Sequence, residues 1–304
     1  MTTFREVGLR DGLQLVGEWP STEAKMRWIE LEYAAGVRHF EVGSFLPINR
    51  FPQFADTREL LQLAAKLDDI VLAVLAVNKR GAIDALQTGA DEIIFVLSAS
   101  DEHSCRNAGR SSEAILSDLQ DVLRSRDQSE ARPAIIVAIS MAFGCSISGS
   151  VAESHVLALA TQAVESGADS VGLADTVGVA GPRQVTSLIH SVRQALPGIP
   201  LGIHLHDSFG TGLANAAAAL DAGIESIDAS LGGLGGCPFS PGATGNIAME
   251  DLAYLAATEG IANVPDLGKL LLAKNFVQTQ IGSEAFGGHL EEHRLKVAQK
   301  VHQC

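Results

Sequence analysis

Four times in this 304-residue chain a helix-spaced segment runs out at a glycine, and an apolar run of strand length follows at once: YAAGVRHF (33–40), LQTGADEI (86–93), VESGADSV (164–171) and LDAGIESI (220–227). Each reads as a helix end, a glycine C-cap and a new strand. Strand-like runs recur at FREVGL, VRHFEVGSF, DIVLAVLAV, DEIIFVLSAS, RPAIIVAIS, DSVGLADT, LGIHLHDS and ESIDASLGG. Helical spacing fills the intervals, as in STEAKMRWIELEYAAG, SSEAILSDLQDVLRSR and PRQVTSLIHSVRQAL. Regular strand–helix alternation means a parallel sheet. Eight units in this length predict an α/β fold, a closed (β/α)8 TIM barrel. An open doubly wound sheet is the competing reading; no G-x-G-x-x-G follows the first strand, and no linker splits the chain. The whole chain, 1–304, is expected to be one barrel domain. The barrel occupies about 1–262, and C-terminal helices about 263–304, with a glycine-rich break at 282–288.

A net charge of −14 opposes binding to a phosphate backbone, so nucleic acid is not an expected partner. The four cysteines, Cys105, Cys145, Cys237 and Cys304, form no C-x-x-C pair and match no zinc spacing. That usage fits a reducing compartment. The first residues carry no basic and apolar leader pattern, and no apolar run reaches membrane-spanning length. A cytoplasmic protein with no membrane association is expected.

In a barrel the chemistry belongs at the C-terminal strand ends. Arg10 and Asp11 are expected to end strand 1, Glu41 lies on strand 2, and Asp175 and Thr176 end strand 6. His204 and His206 lie two apart on strand 7, so both point the same way. Two inward imidazoles are costly in a barrel interior unless something occupies them. A divalent metal would do so, with Asp11 across the closing seam as a third ligand. The competing reading is a hydrogen-bonded histidine pair. Arg10 could steady a developing oxyanion or form only a terminal ion pair. Glu41 and Asp175 fit either direct catalysis or the orientation of neighbouring groups. In GGLGGCPFSPGATGN (232–246) the glycines leave the backbone free, and the thiol of Cys237 there could serve as proton donor or nucleophile. Cys105 and Cys145 read as structural, and Cys304 as terminal.

Together EVGLRDGLQ (6–14), FEVGSF (40–45), ADTVG (174–178), HLHDSFG (204–210) and GLGGCPFSPGATGNIAMED (233–251) resemble the hydroxymethylglutaryl-CoA lyase family of metal-dependent TIM-barrel lyases. The match runs in order through nearly the whole chain. Related isopropylmalate and homocitrate synthases share the opening motif and the His-x-His strand but lack the Gly-Gly-Cys-Pro loop. The resemblance implies Asp11, His204, His206 and Asn246 as ligands of Mg²⁺ or Mn²⁺. It implies Arg10 on a thioester enolate, Cys237 as a catalytic thiol, Asn107 and Thr176 near substrate, and Glu6, Glu41 and Asp175 as carboxylates around the site. The implied reaction is retro-Claisen cleavage of a 3-hydroxy-3-methylglutaryl-CoA-like thioester to acetyl-CoA and acetoacetate, as in leucine degradation, with His204 or Asp175 as base. The implied partners are a small acyl-CoA substrate and a second copy in a homodimer.

The chain departs from the family pattern beside these motifs. Leu9 stands for the usual proline, Leu15-Val16 for Asn-Glu, and Val42-Gly43 for a polar pair. VLSAS replaces Gly-Ala-Ala-Ser, and Ala174 precedes Asp175 where glycine is usual. These positions line or border the pocket, so the acyl group is expected to be open to change, with citramalyl-CoA a candidate. A condensing synthase and a non-catalytic barrel are the other readings.

Overall fold

Every expected strand forms, and each pairs in parallel with its sequence neighbour until β8 closes on β1. The computed structural model describes residues 2–236, 245–282, 284 and 286–302. The strands are β1 (Thr3–Glu6), β2 (His39–Ser44), β3 (Val71–Ala76), β4 (Glu92–Ser98), β5 (Ala134–Ser140), β6 (Ser170–Asp175), β7 (Leu201–Leu205) and β8 (Ser226–Ala229). Around them run α1 (Thr22–Ala35), α2 (Thr57–Ala64), α3 (Lys79–Ala85), α4 (Asp101–Ala108), α5 (Ser112–Asp127), α6 (Glu153–Glu165), α7 (Pro182–Ala195), α8 (Gly212–Asp221) and α9 (Met249–Thr258). Two further helices, α10 (Leu267–Gln280) and α11 (Glu292–His302), follow the barrel on either side of the expected break.

Local chemistry explains the helix ends. Ser21, Asn78, Ser111 and Asp266 each accept a backbone N–H of the first turn they cap. Such caps are worth about 1 kcal/mol each. Gly36 closes α1 at φ 107°, and Gly167 and Gly223 follow α6 and α8 at φ 109° and 77°. Gly89 corrects the expected pattern: it lies four residues beyond α3 and is not among the glycines with positive φ. The strand after it is positioned instead by Asp91, whose side chain accepts Leu72 N–H.

The main apolar core lies between strands and helices, built from side chains such as Trp28, Ile29, Phe40, Phe95 and Leu97. Fully burying side chains of this size contributes about 1.5–3 kcal/mol each. The barrel interior is divided. A separate apolar cluster of Ala73, Leu75, Val77, Ile94 and Ile136 lines it on β3–β5. Charged groups from β1, β2, β4, β7 and β8 fill the rest. That division brings the site residues together.

Candidate active site and metal centre

The first strand is shorter than expected. It ends at Glu6, and Arg10 and Asp11 lie on a single wide helical turn, Gly8–Gly12. Val7 O accepts the N–H groups of Arg10, Asp11 and Gly12, which curls the chain over the barrel mouth. Gly8 is required there: a Cβ would stand 2.4 Å from Glu6 Oε1 and 2.7 Å from Trp28. The turn, rather than strand alternation, aims both Arg10 and Asp11 into the site.

His204 lies on β7, and His206 follows the strand end, where it bridges to Asn246 on the returning loop. Their Nε2 atoms face each other at 3.2 Å, and Asp11 Oδ2 lies 3.5 Å from His206 Nε2. One ligand atom from each of Asp11, His204 and His206 lies within 4.8 Å of the others. The groups behind the rings fix the tautomers. His206 Nδ1 stands 2.9 Å from Thr176 O, a carbonyl that can only accept. His204 Nδ1 stands 3.2 Å from Asp228 Oδ2. Each neutral ring therefore keeps its proton on Nδ1 and turns a bare Nε2 to the other. Two lone pairs at this distance repel unless a cation or a proton lies between them. Ligands about 2.1 Å from one ion at a right angle stand about 3.0 Å apart, so the spacing fits a divalent ion.

Asn246 completes the cluster in a different orientation from that of a ligand. Its Nδ2 donates to Asp11 Oδ2 at 2.9 Å and to Leu234 O at 3.0 Å, while Oδ1 is buried without a donor. A half-turn of the amide exchanges these atoms and presents the oxygen to the carboxylate side.

Arg10 joins two acids. Its Nη1 donates to Asp11 Oδ1, and its Nε lies 2.8 Å from Glu41 Oε1. Burial alone would raise the Asp11 carboxyl, but Arg10 beside it opposes this, and the group is held well below the usual carboxylate range. Burial dominates at Glu41 and raises it despite Arg10. Glu41 is fully enclosed, whereas Arg10, Asp11 and His204 keep some exposure. Glu41 thus acts on the site through Arg10, gripping one side of the guanidinium.

Asp175 and Thr176 have partners of their own. Asp175 accepts Val179 N–H on one oxygen and Ala180 N–H on the other, both at 3.0 Å, and so shapes the β6–α7 turn. Burial raises its carboxyl. Thr176 contributes its carbonyl to His206 and its hydroxyl oxygen to Met141 N–H. Asn107 is exposed on α4. Cys145 is buried with its thiol against Ser100, while Cys105 is exposed. Cys237 and Cys304 lie outside the described residues. Gly235, two residues before Cys237, passes close to the cluster: a Cβ there would stand 2.6 Å from Asn246 Nδ2 and 3.4 Å from Asp11 Oδ2.

Glu6 faces the opposite way, toward the helices. Its Oε1 accepts Gly8 N–H at 2.6 Å and Leu231 N–H at 3.3 Å. Its carboxyl also hydrogen-bonds Glu32, which accepts Trp28 Nε1–H. Burial first, with Glu250 adding to it, pushes Glu6 up to about 8. Glu250 in turn accepts Gly232 N–H and Lys274 Nζ–H. This buried acid cluster anchors the root of the glycine-rich loop, 231–232, and the turn carrying Arg10 and Asp11.

Three side chains near the site carry no signal in the sequence motifs: Asp228 behind His204, and Arg5 with its partner Glu92 beneath. Strand alternation could have found them, since each is a charge at an inward position of an apolar strand.

A family model described as HMGL-like matches residues 2–277. The hydroxymethylglutaryl-CoA lyase of Bacillus subtilis is 34% identical over 280 residues, covering 92% of this chain and 93% of that protein. The (R)-citramalyl-CoA lyase of Chloroflexus aurantiacus is 36% identical over 293 residues, covering 92% and 91%. The structure of an HMG-CoA lyase from Acinetobacter baumannii, in complex with coenzyme A and 3-methylmalate, matches with a TM-score of 0.86 at 32% identity, covering 93% of this chain and 92% of that one.

Proposed function

The chain belongs to the HMGL-like family and is an enzyme of the lyase type, and on that premise we propose that it cleaves 3-hydroxy-3-methylglutaryl-CoA, or a close 3-hydroxyacyl-CoA, to acetyl-CoA and a keto acid. The observation that carries this reading is the pair of facing Nε2 atoms beside Asp11 and Arg10 at the barrel mouth. Asp11, His204 and His206 would hold the ion, with Asn246 after rotation of its amide. A bound Mg²⁺ or Mn²⁺ supplies Lewis acidity toward the substrate's hydroxyl and the carbonyl that replaces it.

The rest falls to the side chains. The hydroxyl proton leaves to a base, the C2–C3 bond breaks, its electron pair becomes the acetyl-CoA enolate, and a proton returns to C2. Of the two bases the sequence offers, Asp175 has both oxygens engaged by loop amides. His204, as a ligand, gives its Nε2 to the ion and keeps its Nδ1 proton toward Asp228, so it has no lone pair free for that proton; Asp175, whose oxygens each keep a second lone pair, is the base. Arg10, gripped by Glu41, offsets the enolate charge. Cys237 is assigned the return of the proton, on the sequence resemblance and on the close passage of Gly235.

A second reading, citramalyl-CoA as substrate, is favoured by the 36% identity to the Chloroflexus enzyme and by the altered residues beside the motifs. Steady-state cleavage of both thioesters with added Mg²⁺ or Mn²⁺ separates them. Higher kcat/KM on hydroxymethylglutaryl-CoA supports the first reading; higher kcat/KM on citramalyl-CoA replaces it with the second. Cleavage of neither overturns both.

A further inference from the structure

We propose that Asp228, braced from within the barrel by Arg5 and Glu92, fixes His204 as a metal ligand and so sets the affinity of the Asp11–His204–His206 cluster for a divalent ion. The inference rests on the reading of that cluster as a cation site.

Strand register builds the arrangement. Arg5 on β1 lies directly beside Asp228 on β8, and Asp228 lies directly beside His204 on β7. Three consecutive strands therefore place a cation, an anion and an imidazole side by side on the inner wall. Arg5 then divides its guanidinium between two acids. Nη2 reaches across the interior to Glu92 Oε2 at 2.8 Å, and Nη1 lies 3.3 Å from Asp228 Oδ1. The other oxygen of Asp228 faces His204 Nδ1 at 3.2 Å.

Each link has a physical consequence. Asp228 lies between the Arg5 guanidinium on one oxygen and the His204 ring on the other. With Arg5 on its other oxygen, Asp228 is placed to accept from His204 Nδ1, which leaves the Nε2 lone pair turned to the cluster. Glu92 holds the far side of Arg5, which keeps that guanidinium down in the barrel and away from Asp11. The two imidazoles are consequently unequal. His204 is backed by a charged carboxylate, and His206 by the neutral carbonyl of Thr176. A carboxylate behind a ligating imidazole raises its basicity and fixes its plane. Asp228 and Arg5 are therefore positioning residues, acting on the ion through His204.

Mn²⁺ binding to the metal-stripped full chain, followed by the electron paramagnetic resonance signal of the free ion, tests this. Wild type, Asp228→Asn, Arg5→Lys and His206→Ala are compared at one pH, with circular dichroism of each metal-free protein. Asp228→Asn is expected to stay folded and to bind Mn²⁺ about 10–100-fold more weakly. Arg5→Lys, which keeps the charge but loses the fork, is expected to weaken binding by less. Wild-type affinity in folded Asp228→Asn overturns the proposal. If Asp228→Asn does not fold, Arg5→Lys decides, and wild-type affinity there overturns it. Failure of wild type to bind Mn²⁺, or full binding by His206→Ala, overturns the reading of the cluster itself and this inference with it.

Discussion

Replacing Glu6 by glutamine should make the protein's stability less dependent on pH, and the size of the effect follows from its burial. Glu6 is enclosed between β1 and the helices, and its carboxyl is raised by that burial to about 8 from an ordinary value of 4.5. In the unfolded chain the group loses its proton near the ordinary value. In the folded protein it keeps the proton until the higher one. Between these values the unfolded state binds fewer protons, so stability falls as pH rises, by about 1.4 kcal/mol per pH unit for one proton. The stabilisation is fully present below the unfolded value and is gone once pH passes the folded one. Glutamine retains an oxygen for Gly8 and Leu231 N–H. It cannot ionise. Urea unfolding of both proteins at pH 5.5, 6.5 and 7.5 should show Glu6→Gln gaining on wild type by about 1–3 kcal/mol across the series: groups remote from Glu6 cancel in the difference, and Glu32, which Glu6 raises further, changes it in the same direction. Parallel stability curves would refute the claim that a buried proton holds the Glu6–Glu32 pair.

Two further substitutions test other parts of the account. Glu41→Gln should lower kcat by about 10²-fold, because it loosens the grip on Arg10; Mn²⁺ affinity, read by paramagnetic resonance, should change little. Gly43→Ala should destabilise the fold by about 1–3 kcal/mol in urea unfolding, since its Cβ would stand 2.3 Å from the buried Thr57 Oγ1 at the irregularity in β2.

The sequence showed most of the barrel because each unit carries local signals: apolar runs, capping residues and glycines at helix ends. His204 and His206 were visible for the same local reason, two residues on one face of one strand. Asp11 was assigned correctly to the neighbourhood of the histidines but for the wrong local structure, because the turn at Gly8 depends on Glu6 and Trp28, which are distant in the pattern. Glu6 was grouped with the site although strand alternation opposes it to Arg5, and Arg5 is the residue that points inward. The roles of Asp175 and Asp228 were hidden because they depend on what lies beside each carboxylate. The same acid at a strand end can cap a loop, as Asp175 does, or back a ligand, as Asp228 does. Asn107 rests on the resemblance alone, since no local pattern marks an exposed asparagine on a helix as a site residue.

Removal and return of the ion bear most directly on the central claim. Acetyl-CoA release from hydroxymethylglutaryl-CoA and citramalyl-CoA would be followed for chain stripped with EDTA, then with Mg²⁺ or Mn²⁺ restored, beside His206→Ala treated identically. Stripping is expected to abolish release, either ion to restore it in wild type, and His206→Ala to stay inactive at ion levels saturating for wild type. Cleavage that survives stripping, or that His206→Ala carries out at the wild-type rate, would contradict it.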